Sequence, residues 1–124
     1  MNFAAPAHCS LLPDYHLDEQ PDGSFVTSIV FPERFCGVIG VVHGGVVSML
    51  FDELLGSVAN PPSGEWWATA SLTVNYRAPS PIGVELRAVV ERGERHGRKC
   101  AVRGKLFAGD MLCAEAEGLF VKVR

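Results

Sequence analysis

Two periodicities divide the chain. Between His43 and Asn60, apolar residues recur every three or four positions: Val47, Leu50, Phe51, Leu54 and Val58, with Leu55 widening the stripe. That spacing predicts one amphipathic helix from Gly44 to Ala59. It opens on His43-Gly44-Gly45 and closes before Asn60-Pro61-Pro62, which cannot continue a helix. No other segment carries a clear helical period.

Elsewhere the pattern is that of strands. Residues 24–31 (SFVTSIVF) are rich in β-formers and end at Pro32. Residues 66–76 alternate most regularly, with Ala70, Leu72, Val74 and Tyr76 on one face and Thr69, Ser71, Thr73 and Asn75 on the other. The second face carries small polar groups and no charge, which suggests that it is partly covered. Residues 84–93, 98–107 and 111–123 read as three more strands, joined by turns at 94–97 and 108–110. Residues 1–23 form a polar, proline-punctuated lead-in ending in an Asp22-Gly23 turn; 33–42, 60–65 and 77–83 read as loops. The sum is a strand, a central helix, then four strands in an antiparallel meander, an α+β arrangement in which the helix covers one sheet face. The other face, or an edge, then needs a partner.

A chain of 124 residues fits a single domain over residues 1–124, with room for a modest core. No apolar run is long enough to span a membrane. The N-terminus lacks the basic and apolar regions of a signal peptide. Cys9, Cys36, Cys100 and Cys113 are scattered, with no C-x-x-C spacing and no pair beside a paired His, so they read as reduced structural thiols and the expected compartment is the cytoplasm. The net charge of −3 is unevenly spread: residues 1–76 hold eight acids and one base, residues 77–124 six acids and ten bases. The basic half would welcome a phosphate-bearing ligand. Its cations are not interleaved with exposed aromatics, which argues against nucleic acid.

The helix also carries the candidate chemistry. Two glycines at its start leave backbone N–H groups open to a ligand, and those groups with the helix dipole favour developing negative charge, as an oxyanion hole requires. Asp52 and Glu53 flank the apolar stripe on opposite sides. The plain alternative is two solvated acids. At 1.5 Å per residue, Gly44 and Asp52 lie roughly 12 Å apart along one helix. If both act on one bond, the acid must come from a second copy of the chain.

HGGVVSMLFDELLG, then TASLTVNYRAPSPIG, then the Gly97-Arg98 turn and a strand ending AEGLFVKV resemble the hotdog-fold acyl-CoA thioesterases of the 4-hydroxybenzoyl-CoA and PaaI-like type. The similarity runs from about residue 24 to 123. It implies an antiparallel sheet wrapped around one central helix, a homodimer or a tetramer of paired dimers, and hydrolysis of an acyl-CoA thioester with no cofactor beyond the CoA of the substrate. It further implies that the Gly44 amide polarises the thioester carbonyl and that Gly45 permits close approach. Asp52 would serve as general base or nucleophile from the partner subunit. His43 would orient the substrate, and Thr69, ten residues before Pro79, would hold the attacking water. Arg77, Arg98 and Lys99 are the candidates for CoA phosphate contacts; exposed cations without a role are the alternative.

The chain departs from the family at one place. Several relatives carry Asn or Gln six residues before the histidine, where this sequence has Gly37. A backbone group or water replaces that side chain, or the activity differs. A lone His43 is poor evidence for a metal, and no metal site is expected. His96 reads as a solvated turn residue. Of Trp66 and Trp67, adjacent on a strand, one should be core and the other free to line an acyl pocket or a seam between subunits. A hotdog dehydratase or hydratase would need an HFP or D..NP..H motif, which is absent. A non-catalytic acyl-CoA-binding protein is the remaining class, and release of free thiol would separate it from an enzyme.

Overall fold

The computed structural model describes the backbone of residues 2–4 and all of residues 11–60 and 64–124. Cys9, Pro61 and Pro62 therefore lie outside the described residues. Among those described, the strands are β1 (Asn2–Ala4), β2 (His16–Glu19), β3 (Phe25–Ile29), β4 (Trp67–Tyr76), β5 (Leu86–His96), β6 (Lys99–Ala108) and β7 (Met111–Lys122). They form one antiparallel sheet in the order β1-β2-β3-β5-β6-β7-β4. The helix α1 (Gly44–Ala59) packs on β4, β5, β6 and β7. This is the hotdog arrangement: a sheet curved around one central helix.

The predicted helix is observed with both ends as expected, and its buried residues are the apolar stripe with Ala59. What lets it sit close is the sheet beneath. Gly104, Gly118, Ala88, Ala114 and Ala116 point toward it, all with little or no side chain. A Cβ on Gly104 would stand 3.2 Å from both Leu55 Cδ2 and Phe51 Cε1. A Cβ on Gly118 would stand 2.8 Å from Phe120 Cε1 and 3.2 Å from Leu55 Cδ1. The space over Gly104 is thus taken by helix side chains, and that over Gly118 by Leu55 together with Phe120 of β7 itself.

Three expectations change. The four later strands are not a simple meander: β5, β6 and β7 are, but β4 pairs with β7 alone and forms one end of the sheet. The connection from β4 to β5 crosses the sheet, because β7 and β6 lie between those two strands. The lead-in is not only a loop. It contributes β1 and β2, and Leu12, Tyr15 and Leu17 enter the core; the isolated apolar positions were too few to show a period. Finally, β5 runs on through the expected turn at 94–97 to His96, and a two-residue turn at Gly97 (φ 61°) and Arg98 joins it to β6.

Bulges account for two side-chain placements. In β4 the register with β7 shifts between Thr69 and Ser71, leaving Ala70 unmatched. Alternation therefore inverts there. Thr69 shares the helix-facing side with Leu72, Val74 and Tyr76, not the outer side with Ser71, Thr73 and Asn75 as strict alternation predicted. In β5 a shift between Arg92 and Arg95 turns both arginines under the C-terminal end of α1. Arg92 Nη2 donates to the Val58 carbonyl at 2.7 Å, a cation on the negative end of the helix dipole. Arg95 lies over the Trp67 ring at 4.3 Å. Asn60 closes the helix, its Nδ2 donating to the Gly56 carbonyl at 2.8 Å and its Oδ1 accepting from Trp67 N–H at 2.7 Å. Of the tryptophan pair, Trp67 is core and Trp66 is 53% exposed.

Two predictions follow from this packing. Gly118→Val should cost about 1–3 kcal/mol by overpacking the helix–sheet contact, read as a lower midpoint in thermal unfolding. Glu65 accepts from Trp67 Nε1 at 3.0 Å, and this bond, aided by Lys122 and Arg95, holds its pKa below the usual carboxylate value. A lowered carboxylate pKa contributes stability that is present above the unfolded-state value and lost as pH falls through the folded-state value. Chemical denaturation across the acid range should therefore show a shallower loss of stability in Glu65→Gln than in the wild type.

Candidate active site

The N-terminus of α1 is built around His43, the residue before the first turn. Its backbone is extended (φ −56°, ψ 134°), and its Nδ1 accepts the Gly45 N–H at 2.9 Å. Its carbonyl receives the N–H groups of Val46 and Val47. The N–H of Gly44 has no hydrogen-bond partner among the described residues. The start of the helix thus offers one unpaired donor with the helix dipole behind it.

Two glycines clasp the imidazole. A Cβ on Gly45 would sit 3.2 Å from His43 Nδ1, and one on Gly37 would sit 3.1 Å from its Cδ2. At position 37 the ring lies directly against bare backbone.

Asp52 projects from α1 toward β4. Thr69 Oγ1 donates to its Oδ1 at 2.8 Å, so one carboxylate oxygen is held and the other remains open to water or substrate. The bulge at Ala70 is what brings Thr69 to this side. Beside the pair lies a cavity of about 470 Å³, with Gly56, Asn60, Trp66, Ala68 and Phe120 in its wall. Glu53 turns the other way and accepts the Tyr15 hydroxyl at 2.9 Å, as the opposite-flank reading predicted. Burial raises the pKa of that phenol.

The sequence candidates therefore fall into two groups. Gly44 borders a cavity of about 370 Å³ with Val47, Tyr76 and Arg77, and His43 and Gly45 adjoin it in sequence and are bonded to each other. Asp52 and Thr69 border the other. Each cavity adjoins β4, one near its Tyr76 end and one near its Trp67 end. The basic candidates divide likewise. Arg77 follows β4 at the Gly44 end and pairs with Glu115 at 2.8 Å. Arg98 and Lys99 sit at the β5–β6 turn, where Arg98 Nη2 donates to the Lys122 carbonyl at 2.8 Å and Lys122 pairs in register with Trp67. His96, at the end of β5, pairs with Glu94 and is exposed, as expected of a solvated residue.

Two residues escaped the sequence reading. Tyr76 Oη donates to the Gly44 carbonyl at 2.6 Å and lies 2.6 Å from Ser48 Oγ. The one signal available was helical spacing, which puts Ser48 one turn beyond Gly44. Nothing in the sequence placed the end of β4 beside that turn.

Residues 39–115 match the thioesterase superfamily. The chain belongs to that superfamily. It is 32% identical over 117 residues to an uncharacterized protein of Schizosaccharomyces pombe, covering 89% of this chain and 66% of the relative. It is 32% identical over 89 residues to acyl-coenzyme A thioesterase THEM4 of Bos taurus, covering 70% of this chain and 36% of that protein. The chain thus spans between about a third and two-thirds of these curated relatives' length. Among solved structures, a thioesterase superfamily protein of Shewanella loihica PV-4 superposes with a TM-score of 0.73 at 29% identity, covering 97% of each chain. A Bacillus halodurans protein solved with CoA superposes with a TM-score of 0.75 at 26% identity, covering 87% of this chain and 73% of that one. No described helix is long and apolar enough to cross a membrane.

Proposed function

We propose that this chain is an acyl-CoA thioesterase that works as a homodimer, hydrolysing the thioester to a free acid and CoA. The observation that carries the reading is the separation of its two chemical halves. The open Gly44 N–H and the Thr69-held Asp52 lie at different cavities along one helix, and the strand between those cavities, β4, has an outer edge that no described strand covers. That strand carries no charged residue, which is unusual for an edge left in water. Two copies of β4 paired antiparallel about Leu72–Thr73 would set residue 69 opposite the partner's Tyr76. Asp52 and Thr69 would then approach the partner's Gly44. Val38 and Ile39 before the helix and Trp66 after it leave apolar surface exposed, which a second subunit would use.

In this assembly the thioester carbonyl oxygen rests on the Gly44 N–H of one subunit. Thr69 and Asp52 of the other hold a water, Asp52 takes its proton, and the hydroxide adds to the carbonyl carbon. The C–S bond then breaks and the CoA thiolate takes up a proton. Direct attack by Asp52, expelling the CoA thiolate to give a mixed anhydride that water opens at the Asp52 carbonyl, is the second route; single-turnover hydrolysis in oxygen-labelled water separates them by label found in Asp52. The Arg98–Lys99 turn would lie at the partner's Gly44 end, within reach of CoA phosphates. CoA enters only as part of the substrate, no resident cofactor or metal is called for, and the setting is the cytoplasm.

The test is release of free CoA, followed with a thiol reagent, across aromatic and aliphatic acyl-CoAs. Asp52→Asn should lower kcat at least about 100-fold with the dimer intact by sedimentation. Acyl-CoA binding with no thiol release by the wild type would instead make this a binding protein. Gly44→Pro isolates the amide. Proline suits the first helical position and removes the N–H, the extended His43 backbone is the conformation a residue before proline prefers, and Gly44→Ala, which keeps the N–H, controls for the bulk added beside Tyr76. That variant should keep its helix by circular dichroism and lose about 100- to 1,000-fold in kcat.

A further inference from the structure

The structure assigns Tyr76, backed by Ser48, as a positioning residue that fixes the imidazole of His43 through the Gly44–Gly45 peptide. Tyr76 has one hydroxyl proton, and it goes to the Gly44 carbonyl at 2.6 Å. The 2.6 Å contact with Ser48 must then run from Ser48 Oγ–H to the Tyr76 oxygen. The Gly44 carbonyl belongs to the same planar peptide as the Gly45 N–H, which donates to His43 Nδ1 at 2.9 Å. Four groups thus form one directed chain: Ser48 to Tyr76, Tyr76 to the peptide oxygen, and the peptide N–H to the imidazole.

Polarisation is cumulative along such a chain. A proton held at the carbonyl oxygen makes the peptide nitrogen a better donor. Nδ1 accepts, so the neutral ring carries its proton on Nε2, and Nε2–H is the donor left for a ligand. The Tyr76 ring also abuts Gly44, with its Cζ 3.6 Å from where a Cβ would be, so the hydroxyl pins the first turn at the glycine whose own N–H is open. Tyr76 touches none of the reacting atoms proposed above. It acts on them through the turn it holds. As far as turnover is concerned, this inference rests on the thioesterase reading.

The experiment combines turnover with nitrogen NMR of the His43 imidazole, in wild type, Tyr76→Phe, Ser48→Ala and the double variant. Wild type should show a single tautomer with the proton on Nε2. Tyr76→Phe should lower kcat about tenfold with KM little changed, and its His43 signals should move toward a mixture of tautomers. Ser48→Ala should lower kcat about two- to threefold in the same direction. Because Ser48 acts only through the hydroxyl, the double variant should be no slower than Tyr76→Phe, a non-additivity that independent structural losses would not give. An unchanged His43 signal in folded Tyr76→Phe overturns the assignment, as does an unchanged kcat or an additive double variant. Should Tyr76→Phe fail to fold, Ser48→Ala carries both readouts. If the wild type hydrolyses no acyl-CoA, the proposed function fails, and the His43 signals alone decide the role of Tyr76.

Discussion

Everything in this molecule depends on how closely one helix can approach one sheet. Phe51 and Leu55 reach down to strands that offer glycine and alanine, and the spaces beside Gly104 and Gly118 are already filled by those side chains and by Phe120 of β7. A bulkier strand residue there would lift the helix as a rigid body. Its first turn would then leave Tyr76, and its middle would leave Thr69. Packing in the core and geometry at the surface are in that sense one constraint, because the helix is the sole carrier of His43, Gly44 and Asp52.

The sequence made the helix legible because a 16-residue amphipathic pattern repeats its signal over four turns. The longer strands were legible for the same reason. Strand order was not, since alternation reports which face a residue takes and never which neighbour a strand takes. β4 follows the helix in the chain yet pairs with the last strand, a long-range choice that no local pattern records.

The candidate site was legible by residue type and only partly by position. Asp52 and Glu53 were assigned to opposite flanks by helical geometry alone, and Thr69 and Tyr15 receive them there. Thr69 itself came from similarity to a family. Its periodicity pointed the wrong way, because one extra residue at Ala70 inverts the alternation, and a bulge leaves no mark in an apolar–polar string. Tyr76 was hidden for a related reason. Alternation marks it as one more apolar position on a strand, whereas its hydroxyl is the part that matters.

The helix also has a genetic consequence. On the proposed assembly each α1 serves two centres, giving its first turn to one and its acid to the other. A lesion at either place in one gene copy would therefore be felt in both centres of a pure mutant dimer, but differently in a mixed one. A subunit damaged at its first turn and a subunit damaged at its acid would together rebuild one intact centre and leave the other doubly broken. Alleles that are each inactive alone would then complement one another, and the heritable unit of the chain would no longer coincide with its working unit.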